Sequence, residues 1–211
     1  MPRRFFITGT DTGVGKTVVS ALLCAALEAT YWKPVQTGSL DGTDRRTVMD
    51  LSEFRAYRTA REIYCFSPPV SPHLAAHRAG VTISIPKIAT AMRSLSGSLI
   101  VEGAGGVLVP LTESELMIDL MGELRLPILL TARTSLGTIN HTLLSLAALL
   151  ARDLDVRGVI LVGKPDLENH KAIEKYGRVA VVGTVPILDE INRLALLKVF
   201  RERFDHQFFP E

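Results

Sequence analysis

The chain has 211 residues, a length expected for one large domain over residues 1–211, and its 47% hydrophobic content is ample for a buried core. Lys and Arg number 24 against 22 Asp and Glu, a net +2 too balanced to point to nucleic acid or a membrane surface as partner. Two cysteines make neither a disulfide framework nor a metal-ligand spacing, which fits a reducing cytoplasm, and the longest apolar stretch, Leu143–Ala151 with one serine, is too short to span a bilayer.

Met1-Pro2-Arg3-Arg4 leads almost at once into the apolar run Phe5–Thr8, a strand, so no signal peptide is expected. The strand runs into Gly9-Thr10-Asp11-Thr12-Gly13-Val14-Gly15-Lys16-Thr17, and a helical pattern follows over Thr17–Ala29 with Cys24 as a small core residue. Strand, glycine-rich loop, Lys-Thr pair and helix in that order make a phosphate cradle, because loop and helix-end N–H groups point at the anion. Lys16 adds an ammonium for the β/γ-phosphates, and the Thr17 hydroxyl is placed to ligate Mg²⁺. The loop is stretched. Counting back from Lys16, the usual first glycine falls at position 10, where Thr10 stands, with Gly9 one step earlier.

A second strand over Tyr31–Val35 brings Lys33 near the mouth of the sheet, followed by Gln36-Thr37-Gly38-Ser39. A lone lysine here is either a solvated charge or a phosphate or substrate contact, and the pattern leaves both open. Asp44 opens a helical pattern over Asp44–Ala56, as an ordinary N-cap or as a Mg²⁺ ligand with Asp41 and Asp50 as rivals. Ser67-Pro68-Pro69-Val70-Ser71-Pro72 is the main breaker cluster and reads as a rigid loop within an excursion between two sheet strands.

Pro86–Leu95 is helical, and the strand Ser98–Glu102 ends in Glu102-Gly103-Ala104-Gly105-Gly106. A carboxylate capping an apolar strand, with glycines that let a ligand approach, suits a Mg²⁺ site; the alternative is a turn with Glu102 in water. The strand Pro127–Ala132 leads through Arg133-Thr134-Ser135-Leu136 into a helix over Gly137–Arg152, a turn able to hold an anion, with His141 as a packed or hydrogen-bonded helix residue. Strands over Arg157–Val162 and Val179–Val182, a helix over Glu190–Arg203 and a loosely held tail from His206 complete the reading. Most strands are apolar on both faces, so the alternation predicts an α/β, doubly wound, mostly parallel sheet with helices on both sides and ligands at the strands' carboxyl ends.

Together these segments resemble the dethiobiotin synthetase family of phosphate-loop proteins. The stretched loop, Lys33-Pro34-Val35-x-Thr37-Gly38, Ser71-Pro72-His73, Val101–Gly106, Leu136–His141 and the Gly183-Thr184-Val185-Pro186 turn match in order, over about residues 5–190. The resemblance implies an ATP-dependent ligase that closes the ureido ring from 7,8-diaminopelargonic acid and CO₂ through a carbamate and its phosphoric anhydride. It implies Lys16 and Lys33 as the catalytic cations, and Thr17, Asp44 and Glu102 around Mg²⁺. Gly13, Val14, Gly15, Lys16, Thr17, Val18, Asp44, Glu102, Gly103, Ala104, Gly105, Pro186, Ile187 and Leu188 would contact the nucleotide. Thr12 and Thr37 would meet the diamine or carbamate, while Gly137, Thr138 and Asn140 would receive the substrate carboxylate from a neighbouring subunit, which implies a homodimer.

Where the family often carries an Asn-Asp pair that reads adenine, this chain has Val162-Gly163, which removes a side-chain partner for the base. Three rivals share the phosphate loop. A switch ATPase of the partition or iron-protein type usually has a lysine early in the loop, where Asp11 stands here. An amide-forming ligase typically comes with a glutaminase constellation that does not follow here, and a kinase of small metabolites is the third.

Overall fold

The computed structural model describes residues 3–53 and 58–209. Seven parallel strands form one sheet: β1 (Arg4–Gly9), β2 (Thr30–Trp32), β4 (Thr59–Ala60), β6 (Leu99–Glu102), β7 (Ile128–Arg133), β8 (Val156–Val162) and β9 (Val181–Val185), in the order β4-β2-β6-β1-β7-β8-β9. From β1 the chain moves outward to β2 and β4, returns to fill β6, and then crosses to the other side for β7, β8 and β9. The carboxyl ends of β1, β6 and β7 therefore meet where the winding direction changes, the place where open α/β sheets bind ligands. Strands β3 (Val35–Gln36) and β5 (Tyr64–Cys65) make a separate parallel pair.

Successive residues of a strand point to opposite faces, so the apolar runs feed two cores. Phe6, Trp32, Leu99, Val101, Ile128 and Leu130 pack into one. That face is covered by α3 (Pro72–Arg78), α4 (Ile85–Arg93), α5 (Met117–Leu124), α6 (Thr138–Leu150) and α7 (Leu167–Gly177). Phe5, Ile7, Tyr31, Ile100 and Leu129 pack into the other, under α1 (Lys16–Leu27), α2 (Asp44–Ser52) and α8 (Arg193–Arg203). Among the described residues no helix is long and apolar enough to cross a membrane.

The expected α/β doubly wound sheet is present, with differences that have physical causes. The strand expected over Tyr31–Val35 breaks after Trp32, because Lys33 and Pro34 lead the chain out of the main sheet into β3. The last strand lies at Val181–Val185, later than Val179–Val182. The Asp44–Ala56 helix ends at Ser52 with Glu53 in the left-handed region, and Ala56 lies outside the described residues. Helices α5 and α7 escape the sequence pattern: α5 is short and apolar, and α7 buries only Ile173.

The Pro-rich breaker is followed by a helix, since Pro72 sits at the first position of α3, where no N–H is needed. The tail is not loosely held as far as it is described. Phe209 is buried against Phe5, Phe200 and Phe204, with ring centroids 5.6–5.9 Å apart. Residues 210 and 211 lie outside the described ones.

Candidate active site

Strand register brings the charged groups together. Tyr31 pairs with Ile100 and Trp32 with Val101, so Lys33 comes to lie beside Glu102 at the ends of β2 and β6. Alternation sends Tyr31, Lys33 and Glu102 to the α1 face, where Thr17 and Ser20, three residues apart, share one side of the helix. The phosphate loop turns into α1 through Gly13 (φ 72) and Gly15 (φ 96), conformations that side chains resist. A Cβ at Gly15 would also lie 2.8 Å from the Val162 side chain, which fixes the loop against the end of β8.

Thr17 Oγ1 lies 3.0 Å from both Asp44 Oδ1 and Glu102 Oε1. Lys33 Nζ donates to Asp44 Oδ2 and, at 3.2 Å, to Glu102 Oε1. Ser20 and Tyr31 donate to Glu102 Oε2 at 2.8 and 3.0 Å. Lys16 Nζ donates to the Asp11 carbonyl at 2.8 Å, and the Asp11 carboxylate pairs with Arg133 at 3.4 Å. Lys16, Lys33 and Glu102 are all buried, which sets the electrostatics.

Burial pulls Lys16 down to about 8, opposed by Glu102 and assisted by Lys33. For Lys33 burial also favours the neutral amine, but Glu102 and Asp44 outweigh it and hold the pKa above the ordinary lysine value. Burial would raise the Asp44 carboxyl, yet the Lys33 charge holds it below the usual range. Burial and the neighbouring Glu102 push the Tyr31 phenol up, so it stays a donor.

Thr17 has one hydroxyl proton for two carboxylate oxygens at equal distance. One of those contacts is therefore oxygen against oxygen, and a cation bound by the three would relieve it. Hard oxygen donors in such a set suit Mg²⁺.

A cavity of about 730 Å³ opens over this cluster. Of the residues singled out in the sequence, Thr12, Gly13, Gly15, Lys16, Thr17, Val18, Lys33, Thr37, Asp44, Glu102, Ala104 and Gly105 line it. Asp41 also lines it, while Asp50 is absent from the lining and pairs with Arg46. Pro69, Val70, Ser71 and Pro72 form a wall, held by Gly38 N–H donating to the Pro68 carbonyl at 2.9 Å.

Several residues lie apart. Val14 and Gly103 are buried behind the lining; a Cβ on Gly103 would meet the Phe6 ring at 2.9 Å. Pro186 and Leu188 line a separate hollow beside α8, with Ile187 exposed. Gly137, Thr138 and Asn140 sit at the start of α6, outside this cavity. His141 is exposed rather than packed, because its position on α6 faces away from the core.

Asp44 is not the N-cap of α2. Thr43 accepts from Arg46 N–H in that role, which leaves the aspartate free to face Thr17 and Lys33. Sequence reading missed Ser20, Tyr31 and Gln36, whose side-chain oxygen accepts the Asp44 N–H at 3.2 Å. The hydroxyls could have been found from the three-residue step beyond Thr17 and the two-residue step before Lys33.

A phosphate-loop, parallel α/β nucleotide-binding protein is the class that this sheet and cradle define. A ParA family ATPase from Chlorobium tepidum shares the fold (TM-score 0.58, 14% identity, 95% of this chain and 93% of that one), and a family model described as an AAA domain matches residues 3–195. Within the class the sequence relatives are specific. An ATP-dependent dethiobiotin synthetase of Rhodopseudomonas palustris is 47% identical over 99% of this chain and 97% of its own length. One from Agrobacterium fabrum is 45% identical over 100% and 99%. The chain belongs to the dethiobiotin synthetase family.

Proposed function

We propose that this chain is an ATP-dependent dethiobiotin synthetase that closes the ureido ring of 7,8-diaminopelargonic acid with CO₂, as a single domain in the cytoplasm. Its family membership supports the reaction. The observation that carries the site is the convergence of two buried lysines, a hydroxyl and two carboxylates at the mouth of one phosphate loop.

One amine of the substrate adds to CO₂ to give a carbamate. A carbamate oxygen takes the γ-phosphoryl group, ADP leaves, and the second amine attacks the carbamoyl carbon with release of phosphate. Each step moves negative charge between oxygens, so positioning and fixed charge do most of the work. Lys33, kept cationic by Asp44 and Glu102, neutralises the carbamate and the transferring group. Lys16 leaves the Asp11 carbonyl for the β/γ-phosphates, while the N–H groups of Gly13–Val18 wrap the chain of phosphates. Thr12 and Thr37, both lining the cavity, meet the diamine or carbamate.

Thr17, Asp44 and Glu102 are the residues that would hold Mg²⁺, which supplies charge neutralisation on the phosphates. Ala104 and Gly105 contact the nucleotide with Gly103 supporting them from behind, and Pro186, Ile187 and Leu188 reach it from beyond β9, outside the cavity over the phosphate loop.

The turn at Gly137, Thr138 and Asn140 receives the substrate carboxylate of a second copy, so the active form is a homodimer. Exposed Leu136, Leu144 and Leu150 around that helix support an apolar contact there. The test is a mixture of protein, 7,8-diaminopelargonate, bicarbonate, Mg²⁺ and ATP analysed by mass spectrometry. The expected product is the cyclic urea with one phosphate per ring; none with ATP, CTP or GTP as donor would sink the proposal.

A further inference from the structure

Glu102 is almost wholly buried, and its two oxygens face different surroundings. Oε1 turns to the cavity, with Thr17 Oγ1 at 3.0 Å and Lys33 Nζ at 3.2 Å. Oε2 turns inward and accepts from Ser20 Oγ at 2.8 Å and Tyr31 OH at 3.0 Å. Both hydroxyls belong to fully buried residues. Each comes from an element that also supplies a phosphate-side group. Ser20 is one turn beyond Thr17 on α1, and Tyr31 lies two residues before Lys33 on the strand side.

A buried carboxylate needs donors to stay ionised. Hydroxyls are neutral donors with directional bonds, so they satisfy Oε2 without cancelling the charge available at Oε1. They also remove the rotational freedom that would let the two oxygens exchange. We propose that Ser20 and Tyr31 are positioning residues that lock the Glu102 carboxylate, presenting Oε1 to the magnesium–phosphate side of the site. The inference rests on the reading of Glu102 as a magnesium carboxylate, and a role confined to stability would leave metal affinity untouched.

The test uses full-length Tyr31→Phe, Ser20→Ala and Glu102→Gln proteins. Calorimetry measures the affinity of a non-hydrolysable ATP analogue in Mg²⁺ and in EDTA, with thermal unfolding measured alongside. Tyr31→Phe keeps the ring that fills the core and Ser20→Ala is a small change in a helix, so both are expected to keep the fold, which the thermal unfolding checks. For both, the strengthening of binding by Mg²⁺ is expected to drop about tenfold or more, while affinity in EDTA stays within twofold. Loss of the Mg²⁺ effect in Glu102→Gln, with both hydroxyl variants within twofold of the parent, would overturn the positioning role and leave the metal reading standing. An undiminished Mg²⁺ effect in Glu102→Gln would instead remove the metal reading and the inference with it.

Discussion

With Lys16 proposed to meet the β/γ-phosphates, triphosphate binding should depend on pH in a range where an ordinary lysine would not titrate. Burial holds its pKa at about 8 instead of 10.5 in the free protein. A triphosphate beside the ammonium restores the charged form, so binding above that value takes up a proton. Full restoration to the ordinary value would make the charged form bind about 300-fold more tightly than the neutral one, about 3 kcal/mol. Between pH 7.5 and 9 the linkage predicts a fall in affinity of about eightfold.

Calorimetry with a non-hydrolysable ATP analogue in EDTA, in two buffers of different ionisation enthalpy, measures both the affinity and the proton uptake. Lys33 stays charged across the window because its pKa is raised, so it does not contribute a slope. Lys16→Arg, always charged, should flatten the profile. A parent affinity constant within twofold from pH 7.5 to 9, or an equal slope in Lys16→Arg, would refute the reasoning. The same depressed pKa has a stability consequence. The unfolded chain holds the proton to a higher pH, so the penalty for burying charged Lys16 is present below about 8 and relieved as pH rises from there toward 10.5.

Other perturbations follow from the same geometry. Lys33→Gln should keep the fold and lower kcat by about 100-fold or more, because an amide cannot balance charge moving between oxygens; steady-state kinetics and circular dichroism check it. Gly163→Asn should destabilise the protein by about 2 kcal/mol in urea unfolding, since φ is 132° there and a Cβ would lie 2.5 Å from Thr134 Oγ1. With no amide side chain at 162–163, CTP and GTP should support turnover within about tenfold of ATP, a comparison read from phosphate release. If the proposed homodimer forms through the exposed Leu144 face, Leu144→Glu should shift the sedimentation coefficient from dimer toward monomer and raise KM for the diamine about tenfold or more, since a charge buried in an apolar contact is costly.

Local patterns carry far where the chemistry is contiguous in the chain. The loop Gly9–Thr17 is legible because its glycines, lysine and hydroxyl must be close in sequence to wrap one anion. The strands are legible because burial on both faces demands apolar runs. Helices α5 and α7 are not, because α5 has only about two turns in which Asp119 and Glu123 can mark a polar face, and α7 buries too little. The tail, as far as it is described, escapes the pattern for a similar reason: buried Phe209 pins it, and one residue has no periodicity.

The sequence by itself determined a parallel α/β sheet, a phosphate cradle on its first strand and the set of charged residues beyond the other strand ends. Each of those follows from order and spacing along the chain. Only the tertiary structure decided which charges meet. The register of β2 on β6 sets Lys33 beside Glu102, while Thr43 takes the N-cap role and so frees Asp44 for the site. Buried Ser20 and Tyr31 then turn Glu102 outward. These contacts join residues up to 82 positions apart, and neither propensity nor motif spacing encodes a distance across a sheet.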